Sequence, residues 1–310
     1  MSGIGIILNP HSRANLNNPH RIKRFGFIVG DKGSCHATHD VLDVERLATE
    51  FKERGVEILG ISGGDGTNHV TLTSFINTYG DAPLPRIAFL RGGTMNNLAN
   101  SIGVKGSPEK ILSNLILKYH EDEPFQTTEV ELMNINGKYG FIFGMGIASR
   151  FIDDYVNTDK KPSPLRGAWL LGKAVTSAVL NTKYIARLAV RFDARITLDE
   201  TPVPFKNFNM LVVGTLETLG FNFRPLGRAR QVPGQFQFLG ISSTPQHLIF
   251  KFPRALLMQP LNSEHMYDAM GSKLTIELDE PQTYQIDGDP QPATTRIEIS
   301  MGPRLTCIVS

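Results

Sequence analysis

The sequence predicts an α/β domain followed by a mainly antiparallel β domain, and three observations carry that expectation. Strand, loop and helix patterns alternate with short connections from the first residues to about Tyr119, the signature of a parallel sheet. After Pro124 the alternation gives way to short strand-like runs separated by turn residues. At 310 residues the chain exceeds what one compact core usually organises. Two domains are therefore expected, over residues 1–125 and 126–310, with the last strands able to pack back on the first domain.

The elements follow in order. Gly3 to Leu8 reads as a short buried strand, closed by Asn9-Pro10 and a polar loop from His11 to Asn18. Phe25 to Val29 is read as a second strand. Asp40 to Arg54 is helical, with Val41, Val44, Leu47, Ala48 and Phe51 on one face and Gly55 as its stop. Val56 to Ser62 is a strand, followed by a glycine loop from Gly63 to Thr67 and a helix from about His69 to Asn77. Arg86 to Leu90 is the next strand, and a helix begins near Asn96. Ser107-Pro108 marks the start of a helix running to Tyr119. In the second half, strands are expected at 127–133, 138–144, 188–198, 209–213, 235–241, 273–278 and 296–300. The one clear helix there is Leu165 to Leu180, whose Trp169 is read as core, and Asp153-Asp154 as a turn or helix start.

Composition narrows the function classes. With 41% apolar and 20% charged residues the chain is not of the disordered class. Cys35 and Cys307 show neither disulfide nor metal spacing, so a reducing compartment is expected. His36 and His39, beside Cys35, read as loop residues rather than ligands. No basic-then-apolar leader precedes Ile4, and Gly167 to Leu180, broken by Lys173, is too short to span a bilayer. A cytoplasmic protein is the expectation.

The net charge of +2 conceals a strong asymmetry. Residues 160–263 hold 14 Lys/Arg against four acids, a balance of +10, while the rest of the chain carries −8. Stretches 160–192 and 218–263 contain no carboxylate, and the second also holds Phe221, Phe223, Phe236, Phe238, Phe250 and Phe252. Such a distribution suits a polyanionic partner, lipid or nucleic acid. The competing reading is that the phenylalanines fill a β core.

Three polar loops follow predicted strands: Asn9-Pro10-His11-Ser12-Arg13, Gly63-Gly64-Asp65-Gly66-Thr67 and Gly92-Gly93-Thr94-Met95-Asn96-Asn97. In an open α/β sheet, ligands bind beyond the carboxyl ends of the strands. Glycine permits positive φ and lets backbone N–H groups approach a phosphate, and helix N-termini add a positive dipole. Thr67 and Thr94 can donate to phosphate oxygens, and Asp65 can hold Mg²⁺. Together the loops indicate a nucleotide phosphate site. It is neither the Walker pattern nor a GxGxxG dinucleotide fingerprint. Downstream, Asp287-Gly288-Asp289 sets two carboxylates around a glycine, either as a hairpin turn or as a source of the base that phosphoryl transfer needs.

Ile61-Ser62-Gly63-Gly64-Asp65-Gly66-Thr67, with Asn9-Pro10 before it and Gly93-Thr94-Met95-Asn96-Asn97 after it, resembles the diacylglycerol kinase catalytic-domain family, which includes sphingosine and ceramide kinases. The resemblance covers nearly the whole chain. It implies an α/β nucleotide domain, a β-sandwich and ATP in the cleft between them. It further implies that Asn9, Pro10, His11, Ser12, Arg13 and Thr38 contact ATP. By the same resemblance Gly63, Gly64, Asp65, Gly66, Thr67, Asn68 and His69 wrap the phosphates, while Gly93 and Thr94 close the site. Asp65 would organise Mg²⁺ and the transferring phosphate. The family's Asp-Gly-Glu falls on Asp287-Gly288-Asp289, which implies Asp287 as the base and Asp289 as second candidate.

The departures are specific. Asn97 stands where the family usually has Asp, and Asp289 where it has Glu. The stretch that binds a structural Mg²⁺ in bacterial members falls on Val232-Pro233-Gly234, so that second metal site is expected to be absent. The resemblance implies an ATP- and Mg²⁺-dependent lipid kinase, with diacylglycerol as first substrate, docking reversibly on an anionic membrane surface. A homodimer is a further possibility. NAD kinase, which shares the GGDGT loop, and a nucleotide- or lipid-binding regulator without catalysis are the alternatives. No nucleic-acid-reading motif is visible, so nucleic acid is not an expected partner.

Overall fold

The structure is a computed structural model describing residues 3–93, 96–156, 163–218, 224–256 and 264–309. Thr94, Met95, Phe221 and Phe223 lie outside the described residues, as do the side chains of Phe250 and Phe252. The chain divides into two compact units, Met1–Val130 with Pro303–Ser310, and Glu131–Gly302.

The first unit is built on β1 (Ile4–Leu8), β2 (Gly33–Ala37), β3 (Ile58–Ser62) and β4 (Arg86–Phe89), in the order β4-β3-β1-β2 and all parallel. The returning C-terminal segment adds a parallel pairing, Cys307 opposite Ile87. Around the sheet lie α1 (Arg13–Leu16), α2 (Arg21–Val29), α3 (Val41–Glu53), α4 (Asp65–Tyr79), α5 (Asn97–Ser101) and α6 (Pro108–His120). β1 and β3 are buried along their whole length, as expected of strands covered on both faces. The helix ends follow the sequence signals. Asp40 accepts from the Asp43 N–H and Ser107 from the Lys110 N–H, with Pro108 in the first turn of α6.

Three local expectations fail here. Phe25 to Val29 is not a strand but the second half of α2, which buries Arg21, Phe25 and Val29 at i, i+4 and i+8 and leaves Phe27 89% exposed. A strand would have put Phe25, Phe27 and Val29 on one face. The second strand instead holds Cys35 and His36, so His36 is not a loop residue, whereas His39 lies beyond the strand end. The helix after the glycine loop starts at Asp65, four residues before His69.

The second unit takes in most of β5 (Thr127–Ile135), then β6 (Lys138–Gly140), β7 (Ile142–Gly146), β8 (Phe192–Leu198), β9 (Thr201–Pro202), β10 (Asn207–Phe208), β11 (Met210–Gly214), β12 (Phe236–Ile241), β13 (Met266–Gly271), β14 (Lys273–Ile286) and the start of β15 (Asp289–Ile308). Its main ladder runs β13-β12-β11-β7-β14, antiparallel throughout. β14 pairs with β8 through Leu274–Leu278 and with β7 through Tyr284–Ile286, with register shifts between the two stretches. Such irregularities let one strand pair with different neighbours along its length. Phe236 and Phe238 are fully buried among Phe143, Phe208, Leu211 and Ile276, so for these two the core reading holds.

Among the described residues four helices decorate this unit rather than one: α7 (Ile147–Val156), α8 (Pro164–Val179), α9 (Lys183–Leu188) and α10 (Pro245–Leu256). Asp153 and Asp154 sit in the last turns of α7. Trp169 on α8 is not core; it is 63% exposed. Among the described residues no helix is long and apolar enough to cross a membrane.

Candidate active site

The loops singled out in the first unit all leave the carboxyl ends of its parallel strands and are tied to one another. The Asn9 side chain donates from Nδ2 to Thr67 Oγ1 at 2.9 Å, joining the loop after β1 to the first turn of α4. Asn9 Oδ1 accepts from the His11 N–H at 2.8 Å, and its carbonyl accepts from Ser12 Oγ at 3.0 Å. Pro10 and Ser12 are half-buried, whereas His11 and Arg13 are exposed. Thr38 is buried at the end of β2, and its N–H donates to the Leu8 carbonyl. The His39 ring meets that of His11 edge-on at 5.9 Å.

Two glycine pairs make the centre of this surface. A Cβ on Gly93 would lie 2.3 Å from the Gly64 Cα, and one on Gly92 would lie 2.7 Å from the Gly63 nitrogen. Real side chains do not tolerate such distances, so the two loops touch backbone to backbone because Gly92 and Gly93 lack a side chain, while a Cβ on Gly63 would meet the Thr67 side chain at 2.3 Å. Positive φ is not their reason. In the loop after β4 it is Arg91 (φ 52°) and Asn96 (φ 51°) that adopt the left-handed region.

The α4 N-terminus carries no side-chain cap, since its preceding residue is Gly64. Its first-turn N–H groups are thus available to an anion. Asp65 occupies that turn, and its carboxylate accepts from the backbone N–H of Asn97 at 3.1 Å and of Leu98 at 3.4 Å. Burial pushes the Asp65 carboxyl up, against the lowering effect of those two hydrogen bonds. A bound cation and α4 together would favour the ionised form. Asn68 and His69 are buried inside α4 and do not face outward as loop residues would.

A residue that sequence reasoning left in a polar loop supports this surface. Asn15 is buried, and its Nδ2 donates to the carbonyls of Asn9 (2.7 Å) and Ser62 (3.1 Å), pinning the ends of β1 and β3 together. Arg21 donates to Asn15 Oδ1 at 3.1 Å and pairs with Glu109 at 2.7 Å. Spacing alone gave no sign of this chain.

In the second unit Asp287 and Gly288 form a two-residue hairpin loop between β14 and β15, with φ of 51° and 82°. Positive φ at both positions is the primed turn that suits the twist of a hairpin. The turn also holds its carboxylates in place. Asp287 accepts from the Phe141 N–H with both oxygens (3.1 Å) and from the Ile142 N–H at 2.9 Å. Asp289 Oδ2 accepts from Gln291 Nε2 at 2.9 Å, and Lys138 donates to the same glutamine. At Val232-Pro233-Gly234 the Gly234 N–H donates to the Glu131 carboxylate at 2.9 and 3.0 Å.

A parallel α/β unit that gathers bare backbone and an uncapped helix N-terminus beyond the carboxyl ends of its strands offers a surface suited to an anionic group such as a phosphate. The family model described as the diacylglycerol kinase catalytic domain matches residues 4–125, which lie within the first unit. The chain is 24% identical over 262 residues to "Probable lipid kinase YegS" of Salmonella arizonae (strain ATCC BAA-731 / CDC346-86 / RSK2980), covering 80% of this chain and 76% of that protein. A crystal structure of a diacylglycerol kinase from Bacillus anthracis str. Sterne aligns with a TM-score of 0.66 at 16% identity, over 100% of this chain and 97% of that one. Another structure from the same source carrying a diacylglycerol kinase name gives 0.73 at 17% identity, with the same coverage. Yeast NADH kinase complexed with NADH gives 0.53 at 10% identity, over 100% and 84%. These structural likenesses establish the two-domain fold: an α/β domain followed by a mostly antiparallel β domain.

Proposed function

We propose that the protein transfers the γ-phosphate of ATP to the hydroxyl of a membrane lipid, with diacylglycerol as the first substrate to test. The observation that carries this reading is the glycine contact of Gly63-Gly64 against Gly92-Gly93 beside the uncapped start of α4. It leaves bare backbone and open helix N–H groups at the carboxyl end of a parallel sheet.

The donor set fits a Mg²⁺ that arrives with the nucleotide. Such an ion is usually held by one or two carboxylates plus phosphate oxygens and water. Asp65 offers the carboxylate and Thr67 a nearby hydroxyl. Among the described residues no cluster of three or more Asp, Glu, His or Cys gathers to hold a metal by itself. When bound, the ion would neutralise charge on the phosphates. The first-turn N–H groups of α4 and the glycine loops would hold the phosphate oxygens, and Asn9 would keep Thr67 oriented.

The two carboxylates of the hairpin take different parts in this reading. Asp287 has both oxygens occupied by backbone N–H donors, which fix it as part of the turn. Asp289, whose partner is a neutral side-chain amide, is the better candidate to accept the proton of the lipid hydroxyl as that oxygen attacks phosphorus and ADP departs. This reverses the order of preference that the resemblance implied.

The test is direct. Protein is incubated with γ-labelled ATP, Mg²⁺ and mixed micelles of diacylglycerol, sphingosine, ceramide, monoacylglycerol or phosphatidylglycerol, with NAD in a parallel reaction. Label in a lipid supports the reading and names the acceptor. Label in NAD alone, the activity class of the more distant structural neighbour, replaces it with a nucleotide kinase.

A further inference from the structure

Helix α8 presents an apolar face with no protein partner among the described residues. Leu165 (84% exposed), Ala168, Trp169 (63%), Gly172, Thr176, Val179 and Leu180 (67% each) point outward. At 100° per residue these positions fall in an arc of roughly 120° on one side of the helix. The opposite side buries Gly167, Leu170, Ser177 and Ala178, and Ala178 packs with Ile185 and Leu188 of α9. The helix is thus fixed to the fold by one face while the other exposes large side chains that a water-facing helix ordinarily replaces with polar ones.

Charge identifies what covers that face. From Ser163 to Phe192 the chain has five Lys/Arg and no Asp or Glu. The Lys173 ammonium stands over the rings of Trp169 (5.4 Å) and Tyr184 (4.1 Å), at the edge of the apolar arc. Lys183 and Arg191 are exposed nearby in sequence, while Arg187 pairs with Asp154 of α7. Leucine and tryptophan flanked by cations, with no anion along the element, is the pattern of a helix that lies in the headgroup region of an anionic bilayer. A protein partner of matching shape would not by itself call for an acid-free stretch of this length.

We infer that α8 is the membrane-docking element, seating Leu165, Trp169 and Leu180 among the lipid chains while Lys173 and Lys183 meet anionic headgroups. The inference rests on the lipid-kinase reading for its purpose, though not for its observation. It makes the docking reversible, because one helix face buries far less apolar surface than a spanning segment.

Trp169 is the single tryptophan of the chain, so intrinsic tryptophan emission reports on this face alone. The full chain is mixed with vesicles of phosphatidylcholine, with or without about one-third phosphatidylglycerol. The expected result is a blue shift and quenching by chain-brominated lipids with anionic vesicles only. Leu165→Gln with Leu180→Gln should lower partitioning at least about tenfold, as loss of two inserted leucines implies. Lys173→Gln with Lys183→Gln, followed by co-sedimentation, should lower it roughly tenfold for anionic vesicles and leave neutral ones unaffected.

Vesicle binding with Trp169 emission unchanged would overturn the inference, because another face would be docking; absence of binding would overturn it too. A blue shift without vesicles that follows protein concentration, matched by a dimer in sedimentation and lost in the leucine variant, would assign the face to a second copy of the chain. Phosphate transfer to a short-chain, monomeric lipid separates the two readings. Docking without transfer sinks only the kinase, and transfer that the leucine variant retains in solution but loses on vesicles supports both.

Discussion

The Asp287 carboxylate is bound by the backbone of Phe141: both of its oxygens accept that N–H at 3.1 Å, and Oδ1 also accepts the Ile142 N–H at 2.9 Å. The left-handed turn residue is thereby locked to the start of β7. Replacing Asp287 by Ala leaves these donors without their acceptor and should cost about 1–3 kcal/mol in chemical denaturation, along with activity. Asp289→Asn should keep stability within about 0.5 kcal/mol and lower kcat roughly 10²- to 10⁴-fold, the usual worth of a positioned base. If Asp289→Asn were active and only Asp287 variants dead, the assignment of the base would be wrong.

Gly93 tests the backbone cradle. Its substitution by Ala sets a methyl group 2.3 Å from the Gly64 Cα, which forces the two loops apart. Nucleotide affinity should fall at least about tenfold, with a stability loss of about 1–3 kcal/mol typical of overpacking. Gly172→Ala on the exposed face of α8 meets nothing within 4 Å and serves as the control. It should leave ATP binding unchanged and stabilise the helix by about 0.5–1 kcal/mol.

Asp65 should trade stability for function. Burial raises its carboxyl in the folded state, so the folded chain favours the protonated form. The resulting penalty begins as pH rises through the unfolded value of about 3.9 and is complete above the raised folded one. Asp65→Asn removes that penalty. Without nucleotide, its Tm at a pH of about 7–8 should equal or exceed the parent's, with the difference vanishing toward a pH of about 4. Mg-ATP should raise the Tm of the parent and not of the variant. A variant that is destabilised at neutral pH yet still stabilised by Mg-ATP would remove Asp65 from the site.

The pair of Arg21 and Glu109 carries the opposite pH signature. Burial works against ionising Glu109, but the Arg21 hydrogen bond, its own backbone N–H and the charges of Arg21 and Arg24 together hold it below its usual value. This stabilisation is present above the unfolded pKa of about 4.3 and is lost as pH falls through the folded one. Arg21→Met should cost about 2–4 kcal/mol near neutrality, since it also frees Asn15, and progressively less in acid. Denaturant midpoints across that pH range check the sign.

The buried thiol gives a simpler check. Cys307 is fully buried, and burial pushes its pKa to about 12. In the native protein it should resist alkylation at a pH of about 8 and react once denaturant is added.

Legibility in the sequence tracked how local each cause was. The Asp40 and Ser107-Pro108 helix starts act within three or four residues, and both were readable. The glycine loops were readable as a site because their positions after successive strands fix where they converge, but their reason was not. Close approach between Gly64 and Gly93 spans almost thirty residues and leaves no periodic trace. Phe25 to Val29 misled because five mostly apolar residues fit a strand as well as a helix, and only tertiary packing exposes Phe27. α7, α9 and α10 were missed as short or interrupted patterns. Trp169 was misplaced because composition cannot say which side of an apolar helix finds a partner. The network through Asn15 and Arg21 depends on polar contacts between distant segments, for which no spacing rule exists.

The most direct measurement of the central claim is single-turnover transfer from γ-labelled ATP to diacylglycerol by the parent and by Asp289→Asn, with nucleotide binding measured in parallel and each reaction repeated in excess chelator. The account predicts label in the lipid for the parent, none with chelator, and a loss of at least about a hundredfold in Asp289→Asn while ATP binding persists. Label that reaches no lipid in the panel although ATP binds would contradict it, as would transfer that is indifferent to Asp289.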